Sequence, residues 1–281
     1  MSTPAVLLYA PDGNQYQRYG GVRGSGLQLS RTAAVAGDGP NAWGTDGLQK
    51  YPFGTQMILQ DGRKFRFTVA GGTLIVIGNT QQSSAPIAGN VNQTAVASAL
   101  GSRTPQVTVG ATSTTADQYA GGYAVVSVTP DGSNVYFIND HAAATNGTVQ
   151  TLNLASGHAI RTSAWTTTSR VDFIKNPYDS IIIMPTTASG TVVGVAVTPL
   201  AAYLTTGQAL SFGWVQTRGI AGVLTNGTVV IGEGVFTGIT TAGAVTAVST
   251  TYDEPYSIQV GFVARVAATT AFSSIFLTLD G

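Results

Sequence analysis

Few side chains in this 281-residue chain are suited to chemistry. There are two histidines, His141 and His158, and Asp140 directly precedes the first. Serine is plentiful, so a Ser-His-Asp triad can be assembled on paper. No Gly-x-Ser-x-Gly elbow marks a nucleophile, however, and no paired-histidine or EF-hand spacing marks a metal site. A histidine between strands is more often a surface or interface residue. The acids are eleven aspartates with Glu233 and Glu254. Glycoside cleavage needs two carboxylates roughly 5–9.5 Å apart. Six aspartates (Asp12, Asp38, Asp46, Asp61, Asp131 and Asp280) stand before glycine. Asp-Gly is a turn device, since Asp tolerates left-handed backbone and bonds its own chain. That reading assigns over half of the aspartates to turns. The stretch Gly232 to Gly238 looks like a phosphate loop, but it is one residue longer than the dinucleotide fingerprint. No helix pattern follows it to receive a phosphate. With no cysteine there is no thiolate or disulfide. The expectation is a protein that is not an enzyme and has no cofactor.

The elements that would position any site are strands. Asp, Glu, Lys and Arg make up only 9% of the chain, where about 25% is usual. Their place is taken by 35 Gly and 39 Thr, which favour turns and pleated strands respectively. Charge normally keeps soluble sheets apart, so its scarcity points to surface committed to other subunits. Net charge is zero, which argues against a nucleic-acid partner. No apolar run approaches the roughly 18 residues of a membrane span, and the first residues lack a signal-peptide pattern. Synthesis in a host cytoplasm is expected, with no membrane partner.

Periodicity predicts strands at 56–59, 64–69, 74–77, 106–109, 123–128, 135–138, 148–154, 170–174 and 180–184. Others are predicted at 192–199, 211–216, 222–224, 229–231, 245–248, 258–265 and 274–279. Asp61-Gly62 predicts a type I′ hairpin turn, and 90–100 could form one short helix. The fold class is therefore all-β with little helix: a Gly-rich extended N-terminal arm over residues 1–50, then β-sandwich or β-barrel units. The latter divide into a β-rich domain, 51–187, and a small barrel-like domain, 188–281, at the Pro/Thr/Ser cluster near 185–190. Residues 1–66 carry seven basic and four acidic side chains, against six and nine in the remainder. The arm thus reads as an attaching segment, with Arg18, Arg23, Arg31 and Trp43 as its contacts. Trp43 is chosen because tryptophan anchors interfaces and its Gly-rich surroundings offer no core.

Several stretches carry a resemblance. They are Gln17 to Gly24 (QRYGGVRG), Tyr51 to Phe67 (YPFGTQMILQDGRKFRF) and Ala116 to Gly122 (ADQYAGG), with Lys175 to Asp179 (KNPYD) and Gly213 to Gly219 (GWVQTRG). Together they resemble virion structural proteins of tailed bacteriophages, in the capsid decoration (cement) family. The resemblance implies no catalytic residues. It implies attachment to the outside of the major capsid protein shell, bridging of capsomers, and self-association as a homotrimer. The same composition also suits a tail, baseplate or tail-tube subunit, or a non-enzymatic receptor-binding spike.

Overall fold

The structure, a computed structural model, describes residues 6–9, 15–19, 40–202, 210–238, 240–247, 258–268 and 271–280. The chain is all-β, and the described residues include a single three-residue helical turn, Ala88–Asn90. The strands are β1 (Val6–Tyr9), β2 (Gln15–Tyr19), β3 (Gln56–Ile58), β4 (Lys64–Val69), β5 (Thr80–Gln82) and β6 (Gln93–Ala95). They continue with β7 (Gln106–Thr108), β8 (Tyr123–Val128), β9 (Val135–His141), β10 (Val149–Leu154), β11 (Arg170–Ile174) and β12 (Ile182–Ile183). The last six are β13 (Val192–Ala196), β14 (Phe212–Leu224), β15 (Gly234–Thr237), β16 (Val245–Ala247), β17 (Gln259–Arg265) and β18 (Phe272–Thr278).

They build two compact units. One comprises Met1–Ser84 and Pro177–Gly281, the other Ala85–Asn176. This corrects the expected division into 51–187 and 188–281. β5 and β12 lie about a hundred residues apart, yet they pair directly (Gln82 with Ile182) and so belong to one sheet. The C-terminal strands join that sheet through β14, which pairs with β4. Composition along the chain registers loops, not which distant strands pair, so the inserted unit was invisible to it.

The inserted unit is a six-stranded closed barrel in the order β10-β7-β6-β11-β8-β9. Alternation explains it: β10 reads exposed-buried over most of its length, as a strand with one face in a core must. Its interior holds Tyr119, Tyr136, Ile138, Leu152, Trp165 and Phe173, all nearly or wholly buried. The other unit carries a large sheet whose main path runs β16-β15-β17-β18-β14-β4-β3-β1-β2. Val223, Val235, Val260, Val263, Ile275 and Leu277 pack one part of it. Met57, Phe65, Phe67, Phe212 and Trp214 pack another, with Ala42 wholly buried among them.

Local differences from expectation have local causes. The β3–β4 connection is a three-residue loop closed by Leu59 and Arg63, with only Gly62 at positive φ. It is therefore a type I turn with a glycine bulge, not type I′. Residues 74–77 form no strand, since Ile75 makes one isolated bridge and is buried while Leu74 and Ile77 are half exposed. Residues 90–100 contain β6 and no α-helix. The two strands expected at 211–216 and 222–224 are one 13-residue strand, β14.

Gly261 shows how tightly β17 and β18 pair. A Cβ built there would lie 2.1 Å from the Phe276 carbonyl oxygen, which neither backbone can yield without moving the ladder. Gly261→Ala is expected to cost about 3 kcal/mol by overpacking, measured as a shift of the urea midpoint.

Candidate interaction surface

The groups that could do chemistry are built into the scaffold. His141 Nε2 accepts the Tyr119 backbone N–H at 3.0 Å, and its Nδ1 lies 2.9 Å from the Ala142 carbonyl oxygen. The first contact puts the proton on Nδ1, which faces both the Ala142 carbonyl oxygen and, at 2.8 Å, the Gln150 side-chain amide. The Gln150 amide joins the same cluster through the Thr114 hydroxyl. The Asp140 carboxylate accepts from Asn153 and Asn139, and those amides hold its pKa below the ordinary carboxylate range. His158 Nδ1 accepts the Phe137 N–H at 3.3 Å. Among the described residues no three His, Asp or Glu side chains converge as a metal would require. Gly234–Thr237 of the glycine-rich stretch is strand β15, paired on both sides.

Two Asp-Gly aspartates do more than turn the chain. Asp131 is buried in the barrel, and its carboxylate accepts from Tyr136 Oη at 2.6 Å, Trp165 Nε1 at 2.8 Å and Asn134 Nδ2 at 2.8 Å. The backbone N–H groups of Thr162 and Ser163 add two more bonds, each 3.2 Å. Asp280 forms a forked pair with Arg66, 2.8 Å from both Nε and Nη2. Gln56 Nε2 and Thr217 Oγ1 donate to the same carboxylate at 2.9 and 3.2 Å. The turn reading holds for Asp131, whose own backbone is left-handed at φ 69°, and both carboxylates also tie distant parts of the chain together.

Of the expected contacts, Arg23 and Arg31 lie outside the described residues. Arg18 falls on β2, which adds to the sheet through β1, itself paired with β3. Trp43 is 51% exposed. Its ring meets Phe65 edge-on at 6.2 Å and takes the Arg63 guanidinium over its face at 5.3 Å. The neighbouring Ala42 is buried in the core and Asp46 bridges to Phe212. Residues 40–50 thus have a core to pack on, contrary to the expectation of a wholly extended arm.

The most unusual surface is one that the strand predictions did not single out. Ile220 on β14 stands opposite Phe276 on β18, which stands opposite Phe262 on β17. These three are 49%, 40% and 44% exposed, while their sheet neighbours Ala221, Ile275 and Val263 are buried on the other side. An antiparallel sheet with one solvated face normally alternates apolar-in with polar-out; here large apolar groups occupy both. β18 reads Phe-Ser-Ser-Ile-Phe-Leu-Thr, with Phe272 and Phe276 on one parity and Ile275 and Leu277 near the other, so the signal was present. An open groove of ≈ 550 Å³ continues the row past Arg218 to Asp61 and Arg63. Beside β17 the chain exposes Val230, Ile231 (65%) and Glu233.

Comparison with family models, curated proteins and solved structures finds no match to this chain. The surface itself therefore carries the functional argument.

Proposed function

We infer that the chain is a structural virion protein of a tailed bacteriophage, a capsid decoration protein that binds the outside of the major capsid protein shell. The observation that supports this reading most is the apolar row Ile220–Phe276–Phe262 on the outward side of central strands. A sheet with two apolar faces needs a second layer to cover it, as surfaces given over to assembly do. The scarcity of charge and the resemblance carried by residues 17–24, 51–67, 116–122, 175–179 and 213–219 point the same way. Clustered histidine and acid chemistry is not what the described scaffold offers, because His141, Asp131 and Asp280 are engaged in holding strands. Many copies, each weakly held, would together stiffen a shell.

The test is the copy number in purified virions. Gel densitometry should give a number comparable with that of the capsid subunits, and a few copies per particle would sink the reading. Truncation probes the arm. Because Ala42 and Asp46 pack on the sheet, the cut belongs before residue 40. A chain lacking residues 1–39 is expected to remain a folded β protein and to lose most of its particle binding in a pull-down with undecorated shells. Undiminished binding would show that Arg18, Arg23 and Arg31 do not attach it.

A further inference from the structure

We propose that the outward face of β14, β18 and β17 is where a second copy of this chain docks, receiving that copy's Val230–Glu233 loop. This deepens the assembly reading and rests on it only for its biological setting. Charge decides the occupant. β14, β17 and β18 contain no acidic residue, and the face carries Arg218 and Arg265. Arg265 stands opposite Ser274 and is in none of the ion pairs Lys50–Asp46, Arg63–Asp61 and Arg66–Asp280. Glu233 is exposed and is likewise in none of them. Two such faces laid against each other would bring Arg218 and Arg265 together with no acid on the three strands to meet them, since Asp61 at the end of the groove is already paired with Arg63. The loop instead offers apolar Val230 and Ile231 beside an anion, matching an apolar row beside a cation. Copies of one chain therefore hold both halves of a complementary contact.

The contact can be exchanged reciprocally in a dimer or passed head to tail around a ring. A patch built on three large side chains is smaller than the roughly 800 Å² per partner of a stable complex. Association is therefore expected to depend on concentration across the micromolar range.

Sedimentation of the purified full chain, from about 1 to 200 µM, tests this. The weight-average mass should rise above the 28.8 kDa of one chain. Phe276→Glu should hold it at one chain with an unchanged circular dichroism spectrum, because the side chain lies outside the core. Glu233→Arg should weaken association about tenfold or more, and adding Arg265→Glu should restore it. A native chain that stays monomeric throughout, or a Phe276→Glu chain that associates like the native one, overturns the proposal. Failure of the double reversal to restore association overturns the loop contact. A chain that self-associates by this face yet is scarce in virions would refute the decoration reading alone. An abundant virion protein that is monomeric in solution would refute this inference alone.

Discussion

Asp131→Ala is expected to destabilise the barrel by about 4 kcal/mol. The substitution deletes no core volume of note, so the cost comes from the donors left behind. Trp165 Nε1 and Tyr136 Oη lose their bonds inside the barrel, and the Thr162 and Ser163 N–H groups lose theirs. Each buried donor without an acceptor costs about 1–3 kcal/mol. The carboxylate also explains the high pKa of Tyr136: burial raises it, and the bond to Asp131 raises it further. Asp131→Asn separates backbone from charge. Asp131 has φ of 69°, a conformation that asparagine accepts. An amide NH₂ directed toward the indole would meet another donor, so this variant should still lose about 2 kcal/mol. Trp165 is the one tryptophan between residues 85 and 176. In variants whose Trp43 and Trp214 are replaced by phenylalanine, its fluorescence during urea unfolding reads the barrel alone. A midpoint unchanged in Asp131→Ala would show that the network contributes nothing.

Asp280→Asn should cost the large sheet about 2 kcal/mol at neutral pH. The forked Arg66 pair is lost, although Arg66 keeps a 2.9 Å bond to the Gly54 carbonyl oxygen. The effect has a pH signature. Burial pushes the Asp280 pKa up, but the Arg66 guanidinium, aided by Gln56 and Thr217, outweighs this and holds it below the ordinary value. A carboxyl lowered on folding adds stability that is complete above its unfolded pKa of about 3.9 and lost as pH falls through the folded value. The difference between native and Asp280→Asn chains should therefore be full at pH 7 and vanish in strong acid. A difference that stayed constant with pH would place the role of Asp280 in packing instead of charge.

Strand positions were largely legible because alternation records which face is wet. Lys64–Val69, Tyr123–Val128 and Arg170–Ile174 fall where their patterns put them. β5 escaped because it is Thr-Gln-Gln and wholly buried, and no apolar pattern announces it. Gln82 offsets its own burial by bonding the Ser189 hydroxyl and the N–H groups of Ser189 and Gly190, whereas Thr80 Oγ1 and Gln81 Oε1 are buried without a hydrogen bond to any described residue. Residues 74–77 misled in the opposite direction, being an apolar run left largely in solvent. The Asp-Gly pairs were read for their local turns alone. Partners such as Arg66 and Trp165 lie 214 and 34 residues away, and nothing near Asp280 or Asp131 in the chain points to them. The apolar row on β14, β18 and β17 needed both parities of each strand to be read together, and the register to align them.

The pairing of Gln82 with Ile182 has a bearing on how such a chain can change over time. The barrel leaves from one strand and returns by its immediate neighbour, so the sheet sees residues 85–176 as a single long hairpin loop. Such a loop can be lengthened, shortened or exchanged for a foreign fold whose ends lie equally close, without re-registering any strand of the host sheet. The part of the sequence free to diversify thus belongs to a different unit from the part that must keep its outward apolar row.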